Sequence, residues 1–119
     1  TGFMVHSALK VLDEISKDGI QIGLIDLFNL THFNDTKLES ILSDYSGVIS
    51  LEEGFRGRGG LDSMLFEFTS RRSLDIKILN IGVEPGYSFE LGTRSELHEK
   101  VGIGVNSILS QIRSFLNRK

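Results

Sequence analysis

The chain has 119 residues, 39% hydrophobic and 24% charged, with 13 glycines, one proline, no cysteine and a net charge of −3. That is the length of one domain, residues 1–119, apolar enough to bury a single core rather than stay disordered. Its mild acidity gives no bulk attraction to nucleic acid or an anionic membrane, and the missing cysteines exclude disulfides and thiolate chemistry.

The longest uncharged run, Val101–Ile112, has 12 residues and is too short to span a bilayer. No basic-then-apolar signal segment opens the chain, so a cytoplasmic location is expected. Val5, Ala8, Leu9, Leu12 and Ile15 recur at helical steps and predict a first helix, which Gly19 stops. Ile20–Asp26 is almost wholly apolar and reads as a strand covered on both faces. Leu27–Asn34 is a loop rich in apolar residues. Asn34 or Asp35 can cap a short helix over Thr36–Asp44, where Thr36 and Glu39 also have capping-box spacing.

Gly47–Glu52 reads as a second strand, followed by a glycine-rich loop to Gly60 and a helix carrying Leu61, Met64, Leu65 and Phe68 on one face. Leu74–Leu79 reads as a third strand, and Asn80–Gly92 as a long loop in which Tyr87 and Phe89 plug the core or form an apolar contact surface. Thr93 and Glu96 open a short helix ending at Gly102, and a last helix runs from about Val105 to Asn117 with Ile108, Ile112, Phe115 and Leu116 inward. Strands alternating with helices imply parallel pairing by right-handed crossovers. The expected architecture is a three-layer α/β/α sandwich around a mostly parallel sheet.

Glu52-Glu53-Gly54-Phe55-Arg56-Gly57-Arg58-Gly59-Gly60 is the most specific local feature. Glycines at a strand-to-helix turn let a backbone approach phosphate, a helix N-terminus offers free N–H donors, and Arg56 and Arg58 add positive charge. The spacing matches neither nucleotide fingerprint. Two readings therefore stand: a module holding a phosphate-bearing ligand at Gly54–Gly60, or a tight turn packed against a neighbour. Adjacent on an extended segment, Glu52 and Glu53 point to opposite faces. Either can act as a general base or fix a neighbouring chain; equally, a strand-end carboxylate can accept backbone hydrogen bonds or pair with a local arginine. His6, His32 and His98 have no metal-ligand spacing, and no serine stands in a nucleophile-elbow motif.

In order along the chain, these segments resemble the C-terminal domain of the thiamine-diphosphate-dependent transketolase family. Thr1-Gly2 is similar to the threonine-glycine that ends the family's first strand. Gly19–Leu30 is similar to its next strand and loop, with Asp35 at the place of that loop's aspartate. Leu51-Glu52-Glu53 and Gly59-Gly60 are similar to its glutamate and glycine pairs. Ile81-Gly82-Val83, Phe89, Gly92, Glu96-Leu97 and Gly102 are similar to its closing run. Two positions depart. His32-Phe33-Asn34-Asp35 lacks the proline that precedes the family's aspartate, and Asp62 replaces a glycine, where it would cap or charge the helix start.

The resemblance implies a five-stranded mixed sheet whose first edge strand is truncated in this chain. It implies a parent enzyme of transketolase or 1-deoxyxylulose-5-phosphate synthase type, transferring a two-carbon ketol unit between sugar phosphates with thiamine diphosphate and Mg²⁺. It places both cofactors, and every catalytic residue, in the pyrimidine- and diphosphate-binding domains of a homodimeric parent. For this domain it implies a structural, dimer-supporting role with no cofactor or metal of its own. Glu52, Glu53, Arg56, Arg58, Gly59 and Gly60 become candidate inter-domain or anion contacts. A further possibility is that the isolated domain pairs with a second copy through Phe28, Leu30, Phe33 and Phe55.

Overall fold

A computed structural model describes residues 1–117. The elements in order are α1 (Met4–Ser16), α2 (Asp35–Ser43), β1 (Gly47–Phe55), α3 (Leu61–Arg71), β2 (Lys77–Val83), α4 (Arg94–Lys100) and α5 (Val105–Leu116). β1 and β2 pair in parallel, Gly47 opposite Lys77 and Leu51 opposite Ile81, with an irregularity between Leu51 and Phe55.

The alternation of side chains along the two strands sorts them into two cores. Ile49, Leu51, Leu79, Ile81 and Val83 pack with α1 and α5 around Met4, Val11, Ile15, Ile108 and Ile112. Val48, Ile76 and Ile78 pack on the other side with Leu38 and Leu42 of α2 and Leu65 and Phe68 of α3. Helices therefore cover both faces of a parallel sheet, the three-layer α/β/α arrangement. Between the strands the buried Ser50 hydroxyl donates to Asn80 Oδ1 at 2.8 Å, so this polar pair inside the sheet is satisfied.

Several expectations are corrected. Ile20–Asp26 is not a ladder strand. A cavity of about 430 Å³ separates it from β1, with Ile22, Leu24, Val48 and Ile49 in its walls. Ladder bonds need neighbouring backbones about 4.8 Å apart. The strand expected at Leu74–Leu79 starts at Lys77 and runs on to Val83, because its partner β1 continues to Phe55. The fully buried face of α1 is Met4, Ser7, Val11 and Ile15, one step round from the expected stripe. Val5, Ala8 and Leu12 are half-buried against the same cavity, and Leu9 is exposed. Asn34 is the cap of α2, accepting from Lys37 N at 2.8 Å, whereas Thr36 lies inside the helix and Glu39 turns to Arg72. Phe33 belongs to the second core, edge-on to Phe68, and Leu116 is exposed. Tyr87 and Phe89 are not core plugs: they stand 94% and 91% exposed.

Candidate functional site at the carboxyl end of the sheet

β1 delivers Glu52 and Glu53 to the carboxyl end of the sheet, and period-two alternation sends them apart. Glu52 turns inward and is 6% exposed. Its Oε2 accepts from Leu61 N at 3.0 Å and its Oε1 from Asp62 N at 3.1 Å. These are orphan donors of the first turn of α3, whose N-cap is Gly60 and offers no side chain. Glu52 therefore supplies from across the loop the oxygens a Ser or Asp cap would supply locally, and it adds a negative charge at the positive end of the helix dipole. A Cβ on Gly60 would collide with that carboxylate, and one on Gly54 would stand 2.9 Å from it. Space, not dihedral angle, requires glycine at these two positions.

Asp62 closes the other half of the loop. It is 2% exposed; its Oδ2 accepts from Gly57 N at 2.5 Å, and its Oδ1 accepts from Ser63 N at 2.6 Å. Gly59 N donates to Ser63 Oγ at 3.0 Å. Gly57 and Gly59 have φ of +72° and +85°, where a side chain would be strained although nothing crowds it. The amides of Gly57, Gly59, Leu61 and Asp62 are thus already held by the chain's own oxygens. Of the two arginines, Arg56 pairs with Glu84 and its amide donates to Val83 O at 2.8 Å, while Arg58 is exposed at the loop tip.

Glu53 turns the other way and ties β1 to α4. Arg94 Nη2 donates to both its oxygens at 2.6 and 2.8 Å, and Arg94 Nε donates at 3.1 Å. His98 Nε2 lies 2.8 Å from Oε1. The Arg94 hydrogen bonds hold the Glu53 carboxyl below its ordinary value near 4.5, against the opposing effect of burial and with help from His98. Beneath the pair, the Arg94 guanidinium sits 3.9 Å over the Phe3 ring, which is edge-on to both His6 and His98. The fold thus gathers His6 and His98 around one aromatic ring, and leaves His32 beside Thr31.

α4 opens on a capping box. Glu96 Oε2 accepts from Thr93 N at 2.8 Å, and hydrogen bonds from the Thr93 backbone and hydroxyl lower the Glu96 carboxyl. α5 repeats the device found at α3: its N-cap is Gly104, and Glu99 accepts from Asn106 N at 3.0 Å and Ser107 N at 3.2 Å. Burial pushes the Glu99 carboxyl up, but the bonds from Asn106 and Ser107 outweigh it and the net direction is down.

Among the described residues no group of three or more His, Asp or Glu side chains is placed to hold a metal ion. No buried side-chain polar atom among them lacks a partner. The donor set fits a diphosphate and its metal poorly: the amides of Gly57, Gly59, Leu61 and Asp62 are engaged, and the carboxylates beside them point at amides or Arg94.

A family model described as "Transketolase, C-terminal domain" matches residues 1–108. The chain is 27% identical over 99% of its length to a 1-deoxy-D-xylulose-5-phosphate synthase of Shouchella clausii (strain KSM-K16), covering 18% of that protein. It is 31% identical over 91% of its length to one of Azobacteroides pseudotrichonymphae genomovar. CFP2, covering 17%. It is 27% identical over 97% to one of Aquifex aeolicus (strain VF5), covering 18%. The chain thus spans less than a fifth of the curated relatives it matches. Helices on both faces of a parallel sheet, a strand-end glutamate closing a glycine-rich turn, and a match running from Thr1 into the first turn of α5 converge: this chain belongs to the transketolase C-terminal domain family.

Proposed function

We propose that this domain is a structural and inter-domain module of a thiamine-diphosphate-dependent transketolase-type enzyme, with no cofactor site of its own. The observation that carries the reading is the closed glycine loop: Glu52, Asp62 and Ser63 occupy the amides of Leu61, Asp62, Gly57 and Gly59. An α/β domain with its sheet-end donors spent on itself serves as a rigid support. Glu52 and Asp62 hold the loop's shape from within, and Glu53, Arg56, Arg58, Gly59 and Gly60 present its outer side to neighbouring domains.

The partners of that surface are the pyrimidine- and diphosphate-binding domains of a cytoplasmic, homodimeric parent, where thiamine diphosphate, Mg²⁺ and the catalytic residues reside. Thiamine diphosphate supplies a stabilised carbanion for carbon–carbon bond making and breaking. The names of the curated relatives favour formation of 1-deoxyxylulose 5-phosphate over ketol transfer between two sugar phosphates. Tyr87, Phe89 and Leu91 (96% exposed) on the loop after β2, and Phe28 on the loop after residues 20–26, are the apolar side chains such neighbours would cover.

Isothermal titration of the 119-residue chain with thiamine diphosphate and Mg²⁺ tests the reading. No binding heat is expected, and micromolar binding by the chain alone contradicts it.

A further inference from the structure

Residues 84–98, the loop after β2 and the first turn of α4, are joined to the rest of the domain chiefly through charge. Every residue from 84 to 96 is exposed, and α4 buries none of its residues. Among the described residues, no backbone–backbone hydrogen bond of this stretch reaches outside residues 84–103. Its two ends are firm. Val83 closes the β2 ladder opposite Phe55, and past α4 Val101 packs on the first core while Ile103 is buried in it. Glu99 is tied to the first amides of α5. The stretch is thus anchored at both ends and nearly bare of packing between them.

One hub holds the middle. Glu53 on β1 takes the Arg94 fork and His98 Nε2, and Arg94 and His98 both lie against the Phe3 ring just ahead of α1. Glu84 pairs with Arg56 at the β2 end. Glu90 pairs with Lys100, which ties the loop to its own helix and neither of them to the sheet. Exposed ion pairs contribute little each and weaken as salt screens them. The apolar cores on the two faces of the sheet are held by burial and are not screened.

We propose that residues 84–98 form a strap that opens as a unit while the sheet and its cores stay folded, and that Glu53 is its latch. Opening breaks the contacts of Glu53 and Phe3 with Arg94 and His98. It leaves Val83 and residues 99–103 as the hinges. Such an opening releases few buried contacts, so it lies far below global unfolding in free energy. The strap carries the strongly exposed Tyr87, Phe89 and Leu91. Swinging it relocates these apolar side chains at almost no loss of core, whereas the closed glycine loop beside it keeps its shape. The device stands whether or not a neighbouring domain covers those side chains.

The test is native-state hydrogen exchange at the amides of residues 97–100, against the β1–β2 ladder and α3 in the same chain. In the unaltered chain these amides should be at least about a hundredfold less protected than the ladder, and their exchange should depend only weakly on urea, because little surface is exposed when they open. Glu53→Gln keeps the shape of the side chain and removes its charge. It should speed their exchange about threefold to fivefold, the scale of an exposed ion-pair hub. Arg94→Ala should do the same, and the double substitution should add little to either, since both remove one contact. In the unaltered chain 1 M NaCl should speed the same amides, and in Glu53→Gln it should not, a response that packing alone would not give. Protection and urea dependence at residues 97–100 equal to those of the ladder would overturn the strap. Exchange unchanged by Glu53→Gln, or an equal salt response with and without the Glu53 charge, would overturn the latch.

Discussion

Two glutamates do the work of missing caps. Gly60 and Gly104 stand at the N-termini of α3 and α5 without a side-chain acceptor, and Glu52 and Glu99 reach them from the preceding elements. Removing a buried carboxylate leaves helix N–H groups unpaired in the interior, so Glu52→Ala should cost about 2–3 kcal/mol in urea unfolding. Glu53→Gln loosens an exposed pair and should cost under about 1 kcal/mol. Equal losses would contradict the division of roles between the two neighbours. Glu53, Glu96 and Glu99 all titrate below their ordinary value in the folded state. Their contribution is therefore full above the unfolded value near 4.5 and drains away as pH falls through their lower folded values. Denaturation midpoints should be level from pH 7 to 5 and fall below about pH 4.5. Glu99→Gln should flatten that fall, and an unchanged profile in the variant would count against it.

At the scale of elements, stability is divided between the two faces of the sheet. Phe68 is 1% exposed, in the core that joins α2 and α3 to β1 and β2. Phe68→Ala should cost about 3–5 kcal/mol through lost burial and a residual cavity. Phe28→Ala, at an 86% exposed side chain, should change stability by under about 0.5 kcal/mol. Which segments become helices was readable from the apolar spacing, the cap candidates Asn34 and Asp35 and the Thr93–Glu96 capping box, because these signals are local. Residues 20–26 were not readable in the same way. Ile20, Ile22, Leu24 and Ile25 announce a strand, but a strand exists only with a neighbour at ladder distance, and among the described residues none stands there. The glutamate pair was legible as strand-end carboxylates pointing apart. Their partners were not: Leu61 N lies nine positions from Glu52 and Arg94 lies 41 from Glu53, so only the closed fold brings them together.

The whole molecule has a radius of gyration of 14.5 Å, against about 13.5 Å for a compact chain of this length. It also has an open slot beside β1 and an exposed loop from residue 84 to 93. Both leave apolar side chains exposed, Leu24 and Ile25 beside the slot and Tyr87, Phe89 and Leu91 on the loop. The glycine loop, by contrast, is complete in itself. Adding millimolar phosphate should leave the melting temperature unchanged, since a ligand specific to the folded state would raise it. A rise abolished by the Arg56→Ala, Arg58→Ala double substitution would revive the phosphate-binding module. The central claim is that the amides of Gly57, Gly59, Leu61 and Asp62 are spent within the domain. It is tested most directly by following the backbone amide resonances of Gly57, Gly59, Leu61 and Asp62 while thiamine diphosphate and Mg²⁺ are added. They should stay in place throughout the titration; saturable movement of those four amides would contradict the account.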